Sequence, residues 1–372
     1  MPGKARKIME NGKHVTLTLT ERCNLNCVYC YESYKTNKQM LFETAVSILD
    51  LELSNSSDYD YVEVAFHGGE PLLEYALMKN ICEWVWEKQY DCNYYFFATT
   101  NGTLLKDEMK EWFSANRNKI MLGLSLDGTP DVQNHNRSNS YELIDCGFFQ
   151  ELWPNQPVKM TISDYTIDKL AESIIHIHDN GFKVSANFAF GIDWGKIDLD
   201  RLDDELEKLI DYYSENPHIE PCSLINQKFE LIGTEMRRWC GAGKSMRVYD
   251  TEGNMFPCHY FMGFSIGENQ SEKSLELDFT NDDIFLSGDC QGCAIYPVCP
   301  TCYGYNYATT GDVATRDKDL CILTKHCAAA GSMLAYKRLS AYTNDVLNMD
   351  DNKRSRILNG VATVQEYLKS EL

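Results

Sequence analysis

Three cysteines fall within eight positions, Cys23, Cys27 and Cys30 of "CNLNCVYC", and no fourth cysteine or histidine stands at zinc-finger spacing on either side. Structural zinc is closed by four ligands, so zinc here would have to borrow a distant one. A [4Fe-4S] cluster held by three thiolates leaves one iron free to bind a small molecule, and an open iron is a catalytic iron. A second group, Cys240, Cys258, Cys290, Cys293, Cys299, Cys302 and Cys321, contains C-x2-C pairs that suit a zinc ribbon as well as iron and sulfur. Cys82, Cys92 and Cys146 stand alone and read as ordinary buried thiols.

The elements that must position these groups are repeated βα units. From about residue 14 to residue 215, short β-branched runs alternate with amphipathic stretches, the pattern of a parallel sheet with helical crossovers. Strands are expected at Val15–Leu19, Val62–Phe66, Tyr94–Ala98, Ile120–Leu126, Val158–Ile162 and Val184–Phe190. Helices are expected over 42–53, 73–88, 105–116, 166–180 and 199–214. In the fourth of these, Leu170, Ile174 and Ile177 form an apolar stripe and Asn180-Gly181 supplies the stop. Six units predict an α/β fold, a partial (β/α)6 TIM-like barrel. The cysteine loop then follows the first strand, "HGGEP" (67–71) the second and "TTNGT" (99–103) the third, while "SLDG" (125–128) ends the fourth. Parallel α/β barrels carry their active sites at this end of the strands, so the four words imply one shared site.

Beyond residue 215 the texture changes. "MRVYDTEGNMFPCHYF" reads as a hairpin, and the next hundred residues are cysteine-rich with little periodicity. The expected organisation is a barrel over 10–222, a small metal-stabilised domain over 236–330 and a helical segment over 331–372. A length of 372 residues suits one large domain plus a smaller one. The acidic run "DLDRLDDELEK" reads as a solvated helix face.

Composition narrows the function classes. Lys+Arg number 35 against 55 Asp+Glu, a net charge of −20 that disfavours nucleic acid. No secretory signal and no membrane-length apolar run is visible, so a cytoplasmic location without membrane attachment is expected. Fifteen cysteines in a reducing compartment point to metal or cluster ligation rather than disulfides.

The ordered words carry a resemblance. CxxxCxxC with Tyr29 before its last cysteine, followed by GGEP, TNG, SLDG and "NHNR", resembles the radical S-adenosylmethionine (SAM) enzymes. The resemblance implies that Cys23, Cys27 and Cys30 hold a [4Fe-4S] cluster whose open iron is chelated by SAM, and that reduction yields a 5′-deoxyadenosyl radical. It places Gly68, Gly69 and Glu70 at the cofactor's amino group, Asn101 and Ser125 at its ribose and carboxylate, and Arg137 on the carboxylate. An arginine suits that last role because its planar fork binds a carboxylate through two charge-assisted bonds. Gln133 stands where relatives often have His and is assigned no role; His67 is assigned none either.

The second cysteine group is similar to the SPASM extension of that family, with "CPTC" shortening one usual spacing by a residue. The resemblance implies two auxiliary [4Fe-4S] clusters, one on Cys290, Cys293, Cys299 and Cys321, the other on Cys240, Cys258 and Cys302. Cys222, Cys327, the substrate or no ligand completes the second set. It further implies a peptide substrate, and "CPTCYGYNY" resembles peptide maturases more than sulfatase-maturating enzymes. The leading expectation is a maturase that cross-links a ribosomally made precursor peptide through a thioether or carbon-carbon bond. The alternatives are formylglycine formation in a sulfatase and, at lower weight, a non-catalytic iron–sulfur electron carrier. Formylglycine formation needs a base, supplied in that family by an Asp; "SLINQKFELIGTEM" has none, leaving Glu230 and Glu235 as candidate proton acceptors. The short stretch before the first strand has no room for a leader-binding domain, so a separate leader-binding protein, or a leader groove on the barrel or the C-terminal helices, is expected beside an electron donor such as flavodoxin or ferredoxin.

Overall fold

The computed structural model describes residues 11–235, 238, 240–341 and 349–371. Residues 10 and 236, which bound expected domains, and residues 342–348 of the expected helical segment lie outside them. The chain forms two compact units, each discontinuous in sequence. The first comprises the described residues of Met1–Ser125, Arg137–Gln156 and Gly241–Asn281; the second those of Leu126–Asn136, Pro157–Cys240 and Asp282–Leu372.

In the first unit, β1 (Gly12–Thr20), β2 (Tyr61–Gly68), β3 (Tyr94–Thr100) and β4 (Ile120–Leu124) pair in parallel in the order β4-β3-β2-β1. The crossovers are α1 (Phe42–Ser54), α2 (Tyr75–Glu87) and α3 (Asp107–Asn116), as parallel pairing requires. Val15, Leu17 and Leu19 are fully buried, and Thr18 and Thr20 are buried beside them, so the end of β1 that leads into the cysteine loop is covered on both faces. α4 (Pro130–Asn136) and α5 (Cys146–Leu152) were not anticipated; α4 belongs to the second unit and α5 to the first.

The expected hairpin forms, with β7 (Met246–Tyr249) and β8 (Met255–Phe256) antiparallel around an Asp250–Asn254 turn. It also joins the parallel sheet, because His14 to Leu17 of β1 pair with Met246 to Tyr249 on the side away from β2. A buried ion pair fastens this junction. Lys13 Nζ lies 2.6 Å from Glu52 of α1, both 1% exposed, and Arg247 and Tyr249 of β7 also donate to that carboxylate. Charges this deep persist only when their remaining polar groups are satisfied, as here. The unit closes with α9 (Gly263–Ile266) and α10 (Glu268–Ser274).

In the second unit, β5 (Val158–Ile162) and β6 (Val184–Phe188) pair in parallel as a separate two-stranded sheet. All six expected strands therefore form; β4 and β6 each stop two residues short of expectation. The helix expected over 166–180 is broken into α6 (Asp164–Ile167), whose N-terminus carries a Ser163/Thr166 capping box, and α7 (Leu170–Asp179), which buries the predicted stripe. α8 (Leu199–Glu215) turns Leu202, Leu206 and Leu209 inward. Glu205 is the exception to its solvated acidic face: it is buried and accepts the Ala171 amide of α7 at 2.8 Å. α11 (Tyr303–Thr310) and two long helices, α12 (Lys318–Ser340) and α13 (Asp351–Leu368), complete the unit, with Val361, Val364 and Leu368 packed on Phe229 and Ala328. No helix among the described residues is long and apolar enough to cross a membrane.

Candidate active site

The cysteine loop leaves the end of β1 in the first unit. Cys23, Cys27 and Cys30 are half-buried and unbridged, the Cys30 amide donates to the Cys27 carbonyl at 3.1 Å, and the Leu25 amide donates to Cys23 Sγ at 3.5 Å. Burial pushes the Cys23 thiol up to about 11, opposed by the Leu25 amide and the Lys35 ammonium and reinforced by Glu70 and Cys27. A thiol ligates only after losing its proton, so a cation must displace that proton on entering. Among the described residues no group of three His, Cys, Asp or Glu side chains is gathered tightly enough to hold a single metal ion.

The GGEP loop is built against this one. At Gly68, where φ is +144°, an added Cβ would lie 2.0 Å from the Thr20 carbonyl oxygen. At Gly69 it would lie 2.5 Å from the Arg22 carbonyl oxygen and 2.9 Å from Cys23 Cβ. Only glycine lets the two backbones approach so closely. Gly69→Ala is expected to destabilise the ligand-free protein by about 1–3 kcal/mol and to lower its iron retention, measured by denaturant unfolding and iron analysis after reconstitution. Wild-type values in both would remove this packing from the site.

Glu70 follows directly and is 1% exposed. Its Oε1 accepts from the Leu72 amide at 3.0 Å and the Thr100 hydroxyl at 2.8 Å, and its Oε2 from the Asn101 amide at 2.8 Å. Burial still pushes the carboxyl up to about 6, although these donors and the positive Arg137 favour the anion. Asn101 donates to Asn24 Oδ1 at 2.9 Å, and Asn24 donates to Thr103 Oγ1 at 2.8 Å. The TNGT and cysteine loops are thus tied through Asn24, a residue that spacing alone did not single out.

Arg137 is also buried, with its guanidinium 5.4 Å from the Tyr29 ring centroid. The next residue, Ser138, adopts φ of 56°, uncommon for a non-glycine, and accepts the Asn26 amide of the cysteine loop at 2.9 Å. Ser125 is buried, and its amide donates to the Thr100 carbonyl at 2.9 Å. The first unit therefore assembles Tyr29, Gly68, Gly69, Glu70, Asn101, Ser125 and Arg137 with the three cysteines. A buried acceptor of three hydrogen bonds, a buried guanidinium and a glycine cradle suit the amino and carboxylate groups of an amino acid beside a thiolate-held cluster.

Gln133 has a role after all. In the second unit its Oε1 accepts the Asp127 amide at 2.8 Å, while Asp127 accepts from the Thr161 amide at 2.9 Å and from Asn136 at 3.2 Å. This network fixes the second half of SLDG to β5. His67 Nε2 lies 3.2 Å from the buried Glu32, and its ring is 5.0 Å from that of His259, whose own pKa burial depresses to about 3.

Among the later cysteines, the second unit brings together Cys290, Cys293, Cys299 and Cys321. Cys290 and Cys293 act electrostatically on Cys321, Cys321 and Cys293 on Cys299, and the Arg316 cation on three of the four. Burial pushes Cys302 up to about 11, and the thiol charge acting on it is that of Cys240. Cys258 belongs to the first unit. Cys222 and Cys327 are fully buried neighbours, and Tyr213 meets Cys222 through its hydroxyl. Glu230 is half-buried and Glu235 exposed.

The family profile described as the radical SAM superfamily matches residues 17–206, half of the chain. The cysteine-type anaerobic sulfatase-maturating enzyme of Clostridium novyi is 22% identical over 75% of this chain and 84% of its own. The antilisterial bacteriocin subtilosin biosynthesis protein AlbA of Bacillus subtilis is 26% identical over 68% of this chain and 56% of its own. Over three other curated relatives, the chain spans only 33% to 41% of their lengths. Among solved structures, anSMEcpe with bound AdoMet gives a TM-score of 0.69 at 19% identity, covering 92% of this chain and 97% of that one. Streptococcus suis SuiB bound to its precursor peptide SuiA gives 0.55 at 17% identity, covering 83% and 76%. At these identities the structural likeness shows a shared fold.

Proposed function

The chain belongs to the radical SAM superfamily, and we propose that within it the protein is a maturase that cross-links a ribosomally made peptide through a thioether or carbon-carbon bond. The observation that carries the radical chemistry is the assembly, in one compact unit, of Cys23, Cys27 and Cys30 with Glu70, Asn101 and Arg137. The peptide substrate is supported by the likeness to AlbA and to SuiB, whose structure holds a precursor peptide.

A [4Fe-4S] cluster on Cys23, Cys27 and Cys30 with SAM beside it, and an electron from a donor such as flavodoxin or ferredoxin, would supply hydrogen-abstracting radical chemistry; orientation is the protein's contribution. Glu70, held rigid by Leu72, Thr100 and Asn101, receives the cofactor's amino group. Arg137, braced on Tyr29, receives its carboxylate. Asn101 and Ser125 would meet its ribose and carboxylate. In this reading the quartet Cys290, Cys293, Cys299 and Cys321 would hold one auxiliary [4Fe-4S] cluster, and Cys240 and Cys302 would contribute ligands to the other.

Because the carboxylate form of Glu70 is the one that accepts N–H bonds from an amino group, acid should weaken the cofactor. Its pKa of about 6 predicts that SAM affinity gains an additional fall of about tenfold per unit below that pH, as a proton competes for the same oxygens. Glu70→Gln should bind weakly at every pH. Calorimetric titration of the cluster-loaded protein checks this, and a flat wild-type profile through pH 6 would take Glu70 off the amino group.

Formylglycine formation is the second reading, favoured by the greater coverage of the C. novyi relative. Against it, Glu235 is exposed and Glu230 only half-buried. Co-expression with precursor peptides encoded nearby, followed by mass spectrometry, decides. A cross-link removes two hydrogens and leaves no aldehyde; a hydrazide-reactive peptide would establish formylglycine instead. Absence of 5′-deoxyadenosine under dithionite, with and without peptide, would sink both and leave the electron carrier.

A further inference from the structure

We propose that Lys35 is a positioning residue for the cysteine loop, whose ammonium, locked on the Cys30 sulfur, sets the reduction potential of the cluster held there. The inference rests on the reading of Cys23, Cys27 and Cys30 as cluster ligands. Lys35 Nζ lies 2.7 Å from Cys30 Sγ, and its charge also reaches Cys23. Its carboxylate neighbour is farther away, with Glu32 Oε2 at 3.7 Å. A lysine serving only to hold the fold would close on the carboxylate first; here the sulfur has the shorter contact.

The bracing is built from both loops. Glu32 is buried, and its other oxygen lies 3.2 Å from Nε2 of His67, the residue that opens HGGEP. Between Cys30 and Glu32, Tyr31 stacks on Tyr260 with centroids 4.9 Å apart, so the backbone carrying both contacts is pinned. Lys35 thus has the Glu32 carboxylate beside it, and His67 at the end of β2 lies on the far side of that carboxylate.

Hydrogen bonds to ligand sulfur and net charge near a cluster set its potential, and a cation there favours the more negative, reduced state. Lys35→Met and Lys35→Gln should therefore make the cluster harder to reduce. Lys35→Arg, which keeps the charge, should recover most of the difference. Lys38→Met is the control: it removes the same charge a few residues away, from an exposed ammonium paired with Glu252 at 3.1 Å.

The experiment is an anaerobic dithionite titration of the reconstituted proteins, each cluster taking up one electron, with the midpoint read by electron paramagnetic resonance from the signal that Cys27→Ala lacks. The expected result is an approximately tenfold fall in the reduced-to-oxidised ratio at fixed potential, about 59 mV for one electron, in both neutral variants and not in Lys38→Met. Equal midpoints in Lys35→Met, Lys35→Gln and wild type would overturn the inference, as would equal shifts in Lys35→Met and Lys38→Met. A wild-type protein without any reducible cluster would overturn the cluster reading and the inference with it.

Discussion

Cys27→Ala is expected to abolish reductive cleavage of SAM. 5′-Deoxyadenosine formed under dithionite should fall to the background without enzyme, a loss of at least about 10⁴-fold, the scale on which catalytic units fail when an essential member is removed. A site with three thiolates has none to spare, because the remaining iron is the one the cofactor must occupy. The variant should still fold. Cys27 is half-buried in a loop, and its interaction through the backbone carbonyl with the Cys30 amide survives substitution, so the stability cost is about 1 kcal/mol or less. Iron analysis, a thermal melt of the ligand-free protein and chromatography of the nucleoside together check the expectation. A correctly folded variant that still cleaves SAM would show that these cysteines do not hold the reactive cluster.

What the amino acids disclose in advance depends on how local the cause is. Val62 to Phe66 and Val158 to Ile162 read as strands because alternation and β-branching act over a few residues. Their order along the chain then placed the cysteine, GGEP and TNG words after successive strands, as found. The pairing of His14 with Met246 was not legible, since no local pattern encodes a register between segments so far apart. Gln133 was set aside because it departs from a motif, yet it holds the Asp127 amide. Its role follows from where the α4 helix lies, and α4 was itself too short to show a period. The same holds for Lys35 and Glu32. Composition identifies them as charges, and only the folded loop shows one of them on a cysteine sulfur.

The second large effect separates cofactor cleavage from its use. Cys293→Ala should leave 5′-deoxyadenosine formation largely intact while modified peptide falls by about 100-fold or more, the order expected when a metal site's support is lost. The two residue sets lie in different units, Cys23, Cys27, Cys30, Glu70 and Arg137 in the first and Cys290, Cys293, Cys299 and Cys321 in the second, so in the proposed reading the two activities depend on different units. Surviving cleavage thus reports that the first unit is folded and loaded, which makes the loss of product interpretable. Cys293 is partly buried against the Phe229 and Val364 core and interacts with Tyr367, so removing its sulfur costs some stability, and a thermal melt must accompany the assay. Iron content should fall by about one third if the quartet holds one of three [4Fe-4S] clusters. Unchanged iron with wild-type product would eliminate the quartet as a cluster site. Unchanged iron with lost product would instead make Cys293 a substrate-facing thiol and move the auxiliary cluster elsewhere.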